Sequence, residues 1–227
     1  MKNKILLLFL LLLFVFSGFA QNLPASWFEL GLSKELVKNL QLEFNPELRM
    51  LEDFKMDSYI LEGGFSYKLQ KYLTIASYYR YENTWDYKNS TGAYKGQKYL
   101  HRLALEVKSG FDINRFDFQF RIRYTQGLYA NNDASDFRYR AKVEYDIRKS
   151  KFVPYLSAEI FHDLSIPDIT RDNISGGLKY VDKIRYTASL NYVINKNNDV
   201  GLFYRLQNNR IKEINTNIVG LSYDHDF

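Results

Sequence analysis

The chain has no cysteine, which excludes a disulfide framework, a thiolate metal site and a lipid-modified N-terminal cysteine. After residue 16 no apolar run approaches the roughly 20 residues of a membrane-spanning helix. With a mean hydropathy of −0.37, a helical membrane protein is excluded. An excess of charge of one sign is also lacking: the formal net charge is +5 over 227 residues, too little to mark a nucleic-acid binder. The only histidines are His101, His162 and His225. They are scattered and lack a Glu or Asp spacing motif, so they form no metal-ligand set, and no cofactor is implied.

What the chain has in abundance is strict alternation. From Arg115 to Tyr145, Phe116, Phe118, Phe120, Ile122 and Tyr124 fall on one side, and Asp117, Gln119, Arg121 and Arg123 on the other. The next segment repeats this, with Phe137, Tyr139, Ala141, Val143 and Tyr145 opposing Arg138, Arg140, Lys142, Glu144 and Asp146. Side chains of a strand change face at every residue, so such segments are strands with differently solvated faces. The pattern recurs too often, and is too aromatic, for a small sandwich. A closed barrel with lipid outside satisfies every backbone polar group and accounts for it.

The first 20 residues read as a secretory leader: Lys2 and Lys4, then the apolar run Ile5 to Phe16, then Gly18 and Ala20 before a cut ahead of Gln21. Residues 21–227 would be the barrel, carrying a charge of +3 once the two lysines are removed. Alternating segments are expected near 26–34, 40–50, 57–69, 73–82, 98–108, 116–124, 137–145, 152–162, 184–192, 200–206 and 215–227. Their lengths, about ten residues, suit tilted crossings. Pro46 lacks an amide donor and suggests a bulge or a rim position.

These segments number eleven, and Asn173 to Tyr180 could supply a twelfth. Bacterial single-chain barrels normally have an even number of strands, so the expectation is a transmembrane antiparallel up-and-down β-barrel of about 12 strands, within 10–12. Parity is a difficulty: with the longer loops outside the cell and Phe227 in the periplasm, eleven strands force the first to run downward.

The ending Tyr223-Asp224-His225-Asp226-Phe227 resembles that of outer-membrane barrels whose terminal aromatic is recognised by the barrel-assembly machinery. Trp27 to Arg49, Gly64 to Tyr81, and the run from Lys183-Ile184-Arg185-Tyr186 through Asn195-Lys196-Asn197 to Leu202-Phe203-Tyr204-Arg205 resemble one family of Gram-negative outer-membrane proteins, catalogued as domain of unknown function 2490. The resemblance spans nearly the whole mature chain. It implies a barrel in the bacterial outer membrane, in contact with outer-membrane lipid, and carries no established activity or catalytic residue.

The faces assigned inward collect basic and acidic side chains in nearly equal number. A self-satisfying network of ion pairs filling a narrow barrel is one reading. A sharper one starts from Arg121, Arg123, Arg138 and Arg140, two adjacent strands of one hairpin whose like charges need facing carboxylates or an anion. The arrangement resembles small twelve-stranded porins for acidic oligosaccharides. A passive channel for small anions or acidic sugars is therefore expected, and a plugged barrel acting through its loops is the alternative. Asp163 to Asp182 is the best candidate loop for a partner. A lipid hydrolase is the weaker alternative, because no defensible Ser/His spacing accompanies the three histidines. Tyr59, Tyr67, Tyr79, Tyr99, Tyr124, Tyr139 and Tyr204 are expected in interfacial girdles.

Overall fold

A computed structural model describes residues 24–87, 92–128, 135–165, 181–211 and 213–227. The expected leader over 1–20, the possible strand Asn173 to Tyr180 and most of the loop Asp163 to Asp182 lie outside the described residues.

Eleven strands form one closed barrel: β1 (Ala25–Val37), β2 (Leu40–Met50), β3 (Met56–Gln70), β4 (Leu73–Tyr87), β5 (Tyr94–Ile113), β6 (Phe116–Gly127), β7 (Asp136–Tyr145), β8 (Phe152–Asp163), β9 (Lys183–Asn195), β10 (Asn198–Asn209) and β11 (Ile214–Asp226). Each strand pairs antiparallel with its sequence neighbours. The barrel closes by a parallel pair, β1 with β11, from Ala25 opposite Ile218 to Ser33 opposite Asp226. That pair resolves the parity difficulty. With an odd number of strands the first and last run the same way, so the start of β1 lies at one end and Phe227 at the other.

The two ends differ. At the turn end, Lys38 and Asn39, Lys71 and Tyr72, Asn114 and Arg115, and Lys196 and Asn197 make two-residue connections. Asn39 and Asn114 there adopt positive φ (68° and 56°), which asparagine tolerates better than most residues. The fifth connection at that end, residues 146–151, is longer. The opposite, loop end has no two-residue turn; its connections run from four residues (210–213) to nineteen (164–182), and it holds the start of β1.

Pro46 produces neither a bulge nor a rim. The β1 to β2 register is the same on both sides of it, from Glu29 opposite Glu47 to Leu32 opposite Phe44, with the ladder open beside the proline; the one register shift of this pair falls away from it, between Glu35 and Val37. A missing donor here costs a hydrogen bond without shifting the strand.

Following the pairing from Lys98 through Thr84, Ser58 and Arg49 to Trp27, and on through Gly220, Phe203, Ser189, Tyr155, Glu144 and Asp117, returns to β5 at Asp112, fourteen residues further along. For eleven strands this stagger gives a tilt of about 42° and a backbone radius of about 11 Å. Long side chains from opposite walls can meet across such a lumen.

The outer face is apolar and banded. Leu105 and Leu156 are each 61% exposed, with Leu103, Ile122, Leu190, Leu202 and Leu221 also on the surface. Facing water, that band would forgo the burial that folding a sheet of this size requires. Aromatic rings border it on both sides. At the turn end Phe111 stacks on Phe118, Phe116 packs on Tyr145 at 4.9 Å, and Phe152 on Tyr192 at 5.1 Å. At the loop end Tyr59 meets Trp85, Tyr81 meets His101, and Tyr124 meets Phe137 at 5.1 Å. On β6 the belts sit at Phe116 and Tyr124, so eight residues of tilted strand separate them by about 20 Å, the scale of an apolar membrane band. The fold is that of a transmembrane β-barrel.

Candidate functional site: the charged lumen

Inward-facing residues of all eleven strands line a central cavity of about 370 Å³. Towards the turn end it meets a wider vestibule of about 670 Å³, which reaches Asn39 and Tyr72 at the turns; Lys108, Arg121 and Arg140 border both. Ten basic side chains line the central cavity against seven carboxylates. That leaves an excess of three positive charges in a space walled by lipid-facing sheet.

A chain of ion pairs runs through this cavity. Arg123 on β6 donates to both oxygens of Glu62 on β3, at 2.9 and 3.1 Å, and its Nε donates to Glu106 on β5. Arg80 approaches Glu62 at 3.5 Å. Lys108 pairs with Glu106 at 3.2 Å, and Arg121 reaches both Glu106, at 3.6 Å, and Glu159 on β8. Arg185 approaches the other Glu159 oxygen at 3.4 Å and donates to Gln207 at 2.8 Å. Tyr78 donates to Glu43 at 2.8 Å and receives a bond from Lys108. Such charges, held away from water, are tolerable because each has a partner.

The hairpin of the four arginines is as the alternation implies. Arg121 lies directly opposite Arg140, and Arg123 opposite Arg138. The structure sorts them unequally. Arg123 is held by Glu62 and Glu106, Arg121 by Glu159 and Glu106, and Arg138 by Asp136 on its own strand. Arg140 makes neither a hydrogen bond nor a direct ion pair with any described residue. The reason lies in one transverse row: Lys108, Arg121, Arg140, Glu159, Arg185 and Gln207 are successive partners across β5 to β10. That row holds four cations and a single carboxylate, and Glu159 extends over Arg140 to Arg121 on one side and to Arg185 on the other.

Towards the loop end the interior is filled. Trp27 packs with Ala25, Phe203 and Ile218 in a buried cluster, and Ile60 is also fully buried. Three guanidinium groups face the indole of Trp27, those of Arg49, Arg185 and Arg205, at 4.0, 5.1 and 5.4 Å from the ring centre. Arg49 is held in turn by Glu47, and Arg205 by Glu29. Alternation does not reveal this layer, because it treats apolar residues as lipid-facing. Trp27, Phe203 and Ile218 occupy inward parities, and strict counting of phase along β1, β10 and β11 would have exposed them.

Among the described residues no group of three or more His, Asp or Glu side chains could hold a metal ion. His101 bonds the Tyr79 hydroxyl, and His225 stands between Tyr223 and Phe227 with its ring 4.3 Å from that of Phe227. Both belong to the aromatic belts.

The family described as "Protein of unknown function (DUF2490)" matches residues 25–217. No curated protein matches the sequence. Among solved structures, the one described as "NanC porin structure in rhombohedral crystal form" aligns with a TM-score of 0.57 at 12% identity, covering 90% of this chain and 98% of that one. The likeness is one of fold.

Proposed function

The chain belongs to the DUF2490 family, which brings a barrel without an assigned activity, and from that premise we propose that it is a narrow passive channel of the bacterial outer membrane, selective for small anionic solutes and acidic sugars. Export would follow from a leader removed before Gln21. Insertion would use Phe227 as the signal to the barrel-assembly machinery, with the short turns in the periplasm and the loop end outside the cell. The observation that carries the reading is the excess of three positive charges around the central cavity, focused at Lys108, Arg121 and Arg140, where cavity and vestibule meet. A confined positive potential raises the local concentration of anions and repels cations. The porin with which the barrel shares its fold supports the channel reading.

The test is planar-bilayer recording of the refolded protein in a salt gradient. Anion-selective steps, less selective in Arg140→Ser, are the expected result. Replacing all four arginines would be a poor test, because losing Arg121 and Arg123 removes the closest partners of Glu62, Glu106 and Glu159 and leaves each with one longer contact, to Arg80, Lys108 and Arg185. A second reading is favoured by the layer at Trp27, Phe203 and Ile218: a closed barrel whose role lies in its loops. Silent bilayers with a correctly folded barrel would select it and reject the channel.

A further inference from the structure

We propose that Arg140, with Arg121 and Lys108, forms a binding subsite for the carboxylate of a small sugar acid at the floor of the vestibule. The inference deepens the anion-channel reading and rests on it for the solute class. Arg140 directly faces a second arginine across β6 and β7, an arrangement that destabilises a sheet unless something negative sits between the two. Glu159 is its cross-strand partner on the other side, yet that carboxylate is committed to Arg121 and Arg185. The Nε of Arg121 is buried with no hydrogen-bond partner. Arg140 therefore holds unspent donors where cavity and vestibule meet, beside an Arg121 that adds its charge, and a planar carboxylate or a phosphate fits such a guanidinium fork.

The rest of the vestibule argues for a polyhydroxy solute. Its volume, about 670 Å³, is that of a small-molecule pocket. Ser66, Thr74 and Gln119 on its wall offer neutral hydroxyl and amide partners beside the charged floor. Glu35, Asp112 and Asp117 also line it, interspersed with Lys68 and Lys71, so above the charged floor the wall carries charges of both signs in near balance and favours no run of like charges along a solute. One acidic group with a neutral, hydroxylated body matches the distribution.

The experiment is titration calorimetry of the full barrel in micelles with glucuronate, glucose and inorganic phosphate, on wild type, Arg140→Ser and Arg140→Lys. Expected are glucuronate binding by wild type, none with glucose, a loss of about 10- to 100-fold in Arg140→Ser, and partial retention in Arg140→Lys. Because Arg140 makes no ion pair with any described residue, the serine variant should keep the heat-modifiable gel mobility of a folded barrel, and calorimetry is read only on protein that shows it. Equal glucuronate affinity in wild type and Arg140→Ser, or no binding by wild type, overturns the subsite. Phosphate binding as tight as glucuronate, equally sensitive to Arg140→Ser, keeps the oxyanion site and overturns the sugar-acid assignment. Bilayer recording separates this from the parent reading. Arg140-dependent binding without conductance leaves the subsite and removes the channel, whereas anion-selective conductance without binding does the reverse.

Discussion

Arg123 on β6 holds Glu62 on β3 through both terminal guanidinium nitrogens, reaching past the two intervening strands. The pair is a strut across the lumen. Both side chains are buried, and Glu62 also faces Arg80. Glu62→Gln should therefore leave Arg123 and Arg80 short of a countercharge and cost about 3–5 kcal/mol. The urea midpoint of the refolded barrel would fall with little change in slope. A change below 1 kcal/mol would mean that water reaches this part of the lumen freely.

Much of this was legible in the sequence, for a physical reason. A membrane barrel solvates its two faces oppositely, so alternation reads directly as inside and outside. The opposition of Arg121 to Arg140 and of Arg123 to Arg138 follows from one hairpin. Glu62, Glu106 and Glu159 could be placed in the lumen but not assigned as partners, because the stagger of the whole barrel decides which walls meet. The parallel seam between β1 and β11 was implicit in the count of eleven segments, which runs the first and last strands the same way, but the usual even number of strands favoured a twelfth instead. Trp27 escaped because the apolar character that marks lipid contact elsewhere marks an inward layer here.

Trp27 gives the second prediction. Its indole packs in the layer with Phe203 and Ile218 at the loop end and receives three guanidinium faces. Trp27→Ala should cost about 3 kcal/mol of stability, as truncating a buried aromatic does, while raising single-channel conductance if this layer is the narrowest point. Conductance and denaturation measured on the same preparation check both halves. Lower stability with unchanged conductance would place the constriction elsewhere.

Gly220 lies opposite Trp27 across the parallel seam and opposite Phe203 on β10. A Cβ there would collide with the Phe203 ring and come within 2.5 Å of the Trp27 carbonyl oxygen. Gly220→Ala should destabilise the barrel by about 1–3 kcal/mol, through overpacking at its closing strand pair. The measurement is the temperature at which the heat-modifiable gel band converts. An unchanged temperature would argue that β1 and β11 are not packed in this register.

The absence of cysteine makes the strand parity directly measurable. Pro24 precedes β1 at the loop end, Glu52 sits between β2 and β3 at that same end, and Lys149 lies between β7 and β8 at the turn end. Single variants Pro24→Cys, Glu52→Cys and Lys149→Cys, expressed in a Gram-negative host and treated with a membrane-impermeant maleimide, sample three points on one barrel. Eleven strands place Pro24 with Glu52, so both should label on intact cells, and Lys149 only after lysis. An even-stranded barrel of the usual kind would start β1 at the turn end instead, moving Pro24 into the group of Lys149. Labelling of Pro24→Cys only after lysis, with Glu52→Cys labelled on intact cells, would show that β1 enters from the periplasm and that the parallel closure is wrong. The three sites thus decide between two topologies that share almost every other strand pair.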